Sequence, residues 1–151
     1  MVSAAKYAKA EKELKAARPY GAAANGFYEK VELSPQPEAV KKHLIIAATS
    51  DRGLCGAVHS SIVKAIRALL SSGSKEGLQT KIVCVGDKSK SMLQRVYGDR
   101  MLFSVNDVGK KVFTFTDAST IANEILTSGY EFDSGEIFYN QFKSLFSKYF
   151  L

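Results

Sequence analysis

The run His43-Leu44-Ile45-Ile46-Ala47-Ala48-Thr49 shows no polar alternation. A strand covered on one face alternates, so this run predicts a strand buried on both faces, as in a parallel sheet. Further strands are expected at 81–85, 101–105 and 136–139, and helical spacing predicts helices over 58–71, 88–97 and 117–128 between them. Strands alternating with helices are the pattern of an α/β fold with an open, mostly parallel, Rossmann-like sheet. Any site then belongs in the loops at the carboxyl ends of the strands. Two such loops stand out, Ser50-Asp51-Arg52-Gly53-Leu54-Cys55-Gly56 after the first strand and Gly86-Asp87-Lys88-Ser89 after the second.

The opening segment has a different period. Residues 1–18 are built of Ala, Lys, Glu and Leu, without Gly or Pro before Pro19, which predicts a helix that stops there. Its least polar positions, Ser3, Tyr7, Ala10, Leu14 and Ala17, alternate in steps of four and three. That is a heptad seam of mostly small side chains, suited to close approach of a second helix. An isolated helix of this length with so thin a stripe is marginal in water, so it wants a partner; packing on its own domain through Tyr7 and Leu14 is the other reading. From Pro19 to Lys42 the glycines, Ser34, Pro35 and Pro37 predict a linker, with a short helical turn near Phe27. The organisation expected is therefore a helix over 1–18, a linker over 19–42 and an α/β domain over 43–151. The segment 141–151 alternates poorly and ends on Phe150-Leu151, as a chain stopped inside a structural element would.

Composition narrows the class. The chain has 151 residues, 46% of them apolar, with eleven glycines and three prolines, which excludes collagen-like and low-complexity chains. Its formal net charge of +6 favours acidic partners without naming one. Basic residues such as Lys88, Lys90 and Arg95 are not interleaved with aromatics, and Lys6, Lys9, Lys12 and Lys15 are spaced with Glu11 and Glu13 as on a solvated or protein-facing helix. Nucleic-acid binding is not expected from that pattern. Two widely separated cysteines, Cys55 and Cys84, are unlike a secreted disulfide scaffold. The longest apolar run falls well short of the roughly 20 residues of a membrane-spanning helix.

The first loop carries residues that suggest several chemistries. Gly53 and Gly56 stand where a nucleotide-binding fold holds phosphate, but no third glycine completes G-x-G-x-x-G and no G-K-[ST] follows. The plainer reading is a tight turn from strand to helix. Cys55 at a helix entrance beside Arg52, with His59 four residues on, suggests a nucleophile and base, yet the surrounding glycines do not form a G-x-[SC]-x-G elbow. The same two residues offer two metal ligands, while Cys84 and His43 fall on strands expected to be buried.

Met1-Val2-Ser3-Ala4-Ala5-Lys6-Tyr7, Thr49-Ser50-Asp51-Arg52-Gly53-Leu54-Cys55-Gly56-Ala57 and Val85-Gly86-Asp87-Lys88 together resemble the gamma-subunit family of mitochondrial F-type ATP synthase. The resemblance continues in the family's order through Asp117-Ala118-Ser119, Ser128-Gly129-Tyr130-Glu131-Phe132 and Phe138-Tyr139-Asn140-Gln141-Phe142. It implies a noncatalytic rotor, the central stalk, whose terminal helices wind into an antiparallel coiled coil inside a ring of alpha and beta subunits. The Rossmann-like domain then sits outside that ring, contacts the delta and epsilon stalk subunits, and stands on the membrane ring of c subunits. Arg52 and Cys55 are implied to face the acidic lever of the beta subunit, and Tyr7, Ala10 and Leu14 to face the second shaft helix. No catalytic, cofactor-binding or metal-binding residue is implied. The location implied is peripheral, on the matrix side of the mitochondrial inner membrane. Compared with the family pattern, part of the first shaft helix is absent before Met1 and the long C-terminal helix is absent after Leu151, so the resemblance implies either a fragment or a truncated paralogue.

Overall fold

The computed structural model describes residues 2–31, 40–72, 77–108, 111–144 and 147–150. Two units make up the chain, residues 1–37 and residues 38–151.

The first unit is the helix α1 (Val2–Lys30), which passes through Pro19 and so corrects the expected stop there. An interior proline removes one N–H···O bond and crowds the carbonyl four residues back, at about 3 kcal/mol relative to alanine. Ala16, Ala17, Ala22, Ala23 and Ala24 surround it with the residue type of highest helix propensity. Their helix propensity favours the rod on both sides of the break, with Gly21 and Gly26 opposing it. Residues 19–30, expected as linker, are therefore helix, while the Pro35-Gln36-Pro37 connection lies outside the described residues.

In the second unit β1 (Lys42–Ala48), β2 (Gln79–Val85), β3 (Met101–Val105) and β4 (Ser134–Phe138) form one sheet in the order β3-β2-β1-β4. Every pairing is parallel, with Ile45 opposite Ile82 and Glu136. The helices α2 (Val58–Ser71), α3 (Asp87–Tyr97) and α4 (Phe115–Thr127) connect these strands. Strand residues two apart share a face. Ile45, Ala47, Ile82 and Cys84 pack with Ile62, Val63 and Ile66 of α2 and Leu93 of α3, while Leu44, Val83 and Val85 pack with Ile125 of α4. The sheet is thus covered on both faces, as the unbroken apolar run of β1 predicts. Helix α4 starts two residues before the expected position because Thr114 and Asp117 form a reciprocal capping box.

Strand β4 is an edge strand fastened to β1 by side chains. The buried His43 Nδ1 lies 2.6 Å from Ser134 Oγ, and Asp133 accepts the backbone N–H groups of Lys41 and Lys42, each at 2.8 Å. These contacts place β4 at 134–138, two residues ahead of the expected segment.

Two further strands follow β4. β5 (Asn140–Ser144) and β6 (Ser147–Phe150) pair antiparallel as a separate two-stranded sheet. The weak alternation over 141–151 predicts no such pairing. Two short strands satisfy each other's backbone groups, and poor alternation in either one conceals that pairing.

Candidate partner-binding loop at the carboxyl ends of β1 and β2

Because the sheet is parallel, the segments leaving β1 and β2 emerge at the same end and meet. Thr49, just past β1, donates its backbone N–H to the Val85 carbonyl at 2.8 Å, and its hydroxyl donates to the same carbonyl at 2.8 Å. Thr49 Oγ1 also accepts the Ser89 backbone N–H at 3.2 Å. The next two residues act on the same helix end. Ser50 O accepts the Lys88 N–H at 3.3 Å, and Asp51 Oδ1 accepts the Asp87 N–H at 2.8 Å. The first three amides of α3 are thus engaged by the loop after β1. A helix start holds a phosphate with just those groups, so the loop at Gly86 offers no free amide cluster to an anion.

Gly86 makes this contact possible. Its φ is +99°, and a Cβ there would stand 2.6 Å from the Ser50 backbone. The two loops that the sequence singles out are therefore one body, locked side by side.

Beyond Asp51 the chain turns outward. Arg52 is exposed, and no ion pair holds its guanidinium among the described residues. Its carbonyl accepts the Nε2–H of the buried His59 at 2.8 Å and the Cys55 thiol at 3.7 Å. The tautomer follows from the acceptor: a carbonyl requires the proton on Nε2. Thiol and imidazole both donate to this one carbonyl, so the candidate nucleophile and base do not form a pair with each other. His59 serves as a brace from α2 to the loop. Among the described residues no group of three or more His, Cys, Asp or Glu side chains is placed to hold a metal ion.

Leu54 marks the tip. Its φ is +59° and its side chain is 110% exposed, and Gly56 beyond it has φ +63°. A non-glycine residue in this left-handed region costs on the order of 1 kcal/mol, and an exposed leucine gains nothing from burial to offset it. Lys88 reaches back over the loop, with Nζ 3.5 Å from the position of a Cβ on Gly53. The surface therefore carries two cationic side chains around an apolar tip. Reasoning from sequence alone passed over Leu54, although a leucine between Gly53 and Gly56 in an otherwise polar turn was the available signal.

The remaining candidates lie on α1. Tyr7 is partly buried, Ala10 is exposed and Leu14 is 36% exposed. Glu11 pairs with Lys15 at 3.1 Å and Lys9 with Glu13 at 4.0 Å, spacings that steady a helix by a few tenths of a kcal/mol.

The family model described as ATP synthase matches residues 1–150. The chain is 54% identical over 147 residues to the mitochondrial ATP synthase subunit gamma of Drosophila melanogaster, covering 97% of this chain and 48% of that one. It is also 54% identical over 147 residues to the mitochondrial ATP synthase F(1) complex subunit gamma of Rattus norvegicus, covering 54% of the rat protein. The chain spans about half the length of these curated relatives. Among solved structures, the central stalk and c-ring of Tetrahymena thermophila mitochondrial ATP synthase contain a chain that superposes with a TM-score of 0.64 at 30% identity, covering 82% of this chain and 51% of that one. The rotor of Euglena gracilis mitochondrial ATP synthase, at 19% identity and a TM-score of 0.60 over 81% of this chain and 42% of that one, shares the fold.

Proposed function

The chain belongs to the ATP synthase gamma-subunit family, and from that premise we propose that it is part of a noncatalytic central-stalk rotor coupling proton-driven rotation to ATP synthesis in the catalytic beta subunits. The observation that carries this reading is the loop at 50–56, rigidly braced on its inner side and exposed at Arg52 and Leu54 on its outer side.

Coupling without chemistry requires stiffness and asymmetry. A ligand or partner shifts a conformational equilibrium only through differential contact with its states. An off-axis rigid body turning inside a ring supplies such contact to each catalytic site in turn. Arg52 presents a fixed charge with forked donors, suited to carboxylates on the beta subunit's lever, but an exposed pair contributes only about 0 to 1 kcal/mol. Shape, more than one bridge, carries the torque.

On this reading α1 is one strand of an antiparallel coiled-coil shaft, with Tyr7, Ala10 and Leu14 toward the second helix and the alpha and beta subunits around both. The sheet domain lies outside the ring, against the delta and epsilon subunits and above the membrane ring of c subunits. The location on this reading is peripheral, on the matrix side of the mitochondrial inner membrane; no described helix is long and apolar enough to cross a membrane. A nucleotide- or phosphate-binding enzyme is the competing reading, and the engagement of the α3 amides by Thr49, Ser50 and Asp51 weighs against it. A truncated paralogue acting as an interaction module is a further alternative.

The test is co-purification of the full-length subunit carrying these residues with alpha and beta subunits, alongside a nucleotide titration of the same subunit alone. Stoichiometric assembly without saturable nucleotide binding supports the rotor. Saturable binding without assembly supports the enzyme.

A further inference from the structure

We propose that Leu54 is an anchor of the loop, an apolar knob that seats in an apolar socket with a carboxylate rim on the catalytic ring. This rests on the rotor reading and adds a residue and a recognition chemistry to it.

Leu54 has no role within the described fold. Its side chain is fully exposed, so it belongs to no core, and its backbone sits at φ +59°, where Gly or Asn serves a turn better. The residue type is thus chosen neither for packing nor for the turn. Burial in a partner satisfies both counts at once.

The loop is also prepared for such a contact. His59 holds the Arg52 carbonyl at 2.8 Å on one side of the tip, and Asp51 holds the Asp87 amide at 2.8 Å at the loop's base. A knob on a braced loop loses little conformational freedom when it docks. The chemistry around it points to the socket's rim. Arg52 is exposed two residues away, and the Lys88 ammonium lies over Gly53, while the Asp51 carboxylate is engaged with an amide. Asp87 is exposed at the start of α3, so the two cations together with the apolar tip, and not a uniformly positive patch, define the surface.

The experiment measures the dissociation constant for the ring of alpha and beta subunits, and the Tm, of the full-length subunit and its Leu54→Asn, Leu54→Met and Arg52→Ala variants. Asparagine tolerates the left-handed backbone but removes the apolar group, and methionine keeps apolar volume. Leu54→Asn is expected to weaken binding about tenfold, the equivalent of losing one buried aliphatic side chain, with Tm unchanged or raised. Leu54→Met is expected to stay within about threefold of wild type. Wild-type binding by Leu54→Asn overturns the inference, and so does weakened binding accompanied by a lowered Tm, which marks Leu54 as structural. If Arg52→Ala weakens binding and Leu54→Asn does not, the loop reading stands and the knob falls. If the wild-type subunit does not bind the ring, the rotor reading itself fails.

Discussion

Asp51 Oδ1 lies 2.8 Å from the backbone nitrogen of Asp87, so the residue that precedes the exposed arginine of one loop caps the helix that begins in the other. The loop after β1 and the start of α3 are fixed to each other by a bond that spans two connections of the sheet. Asp51→Ala removes that acceptor and is expected to cost about 1 kcal/mol, read as a lowered denaturant midpoint with an unchanged slope. Asp51→Asn keeps an acceptor oxygen and is expected to lose less than half as much.

Gly86 and Gly129 separate a clash from a conformational preference. Both have positive φ, +99° and +74°, but a Cβ on Gly86 meets Ser50 backbone at 2.6 Å and one on Gly129 meets nothing within 4 Å. Gly129→Ala is expected to cost about 1 kcal/mol, the preference alone. Gly86→Ala is expected to cost about 3 kcal/mol or more, because the Ser50 backbone must also move. Equal losses in thermal or chemical unfolding contradict the packing described at this junction.

The two cysteines should react differently. Burial raises the Cys84 pKa above its ordinary value, outweighing a lowering by the hydrogen bond with Ser89, whereas Cys55 is half-exposed on the loop. Alkylation in native buffer followed by mass analysis is expected to label Cys55 and to label Cys84 only on unfolding. The sign of the linked stability follows. A folded state that keeps its thiol proton while the unfolded chain gives one up loses stability as pH rises above about 8.5.

On the acid side the carboxylates act in the opposite sense. The backbone N–H groups of Lys42 and Lys41 hold the Asp133 pKa below its ordinary value, and the Thr114 side chain and backbone do the same for Asp117. A depressed folded pKa contributes stability at pH above the unfolded value near 4, lost as pH falls from there through the folded value. Asp133→Asn is expected to flatten that acid limb in a pH series of urea midpoints. An unchanged limb contradicts the role given to Asp133 in fastening β4.

Most of the sheet was legible because a parallel strand buried on both faces has a composition of its own. The run at 43–49 and the segment at 101–105 needed almost no adjustment, and the α2 boundaries agree with expectation. The failures have physical causes. Pro19 reads locally as a stop, yet helix α1 continues through it to Lys30, with alanines on both sides that favour the helix. The hairpin β5–β6 rests on pairing between two short segments, a relation no single window of sequence contains. Of the candidate site, the sequence locates Arg52 and Cys55 on the loop after β1 and singles out the Gly86 loop beside it. The capping of α3 by Thr49, Ser50 and Asp51 depends on the two loops becoming neighbours, which only the fold produces. A leucine in a polar turn is the only trace of Leu54 in the sequence; its full exposure and its φ of +59° come from the fold.

The most direct measurement is single-particle imaging of the full-length subunit bound to alpha and beta subunits. A central-stalk rotor places α1 inside the ring, with Tyr7, Ala10 and Leu14 against a second antiparallel helix and the 50–56 loop facing the beta subunits. Density that leaves α1 outside the ring, or turns the loop toward solvent at every rotational position, contradicts it.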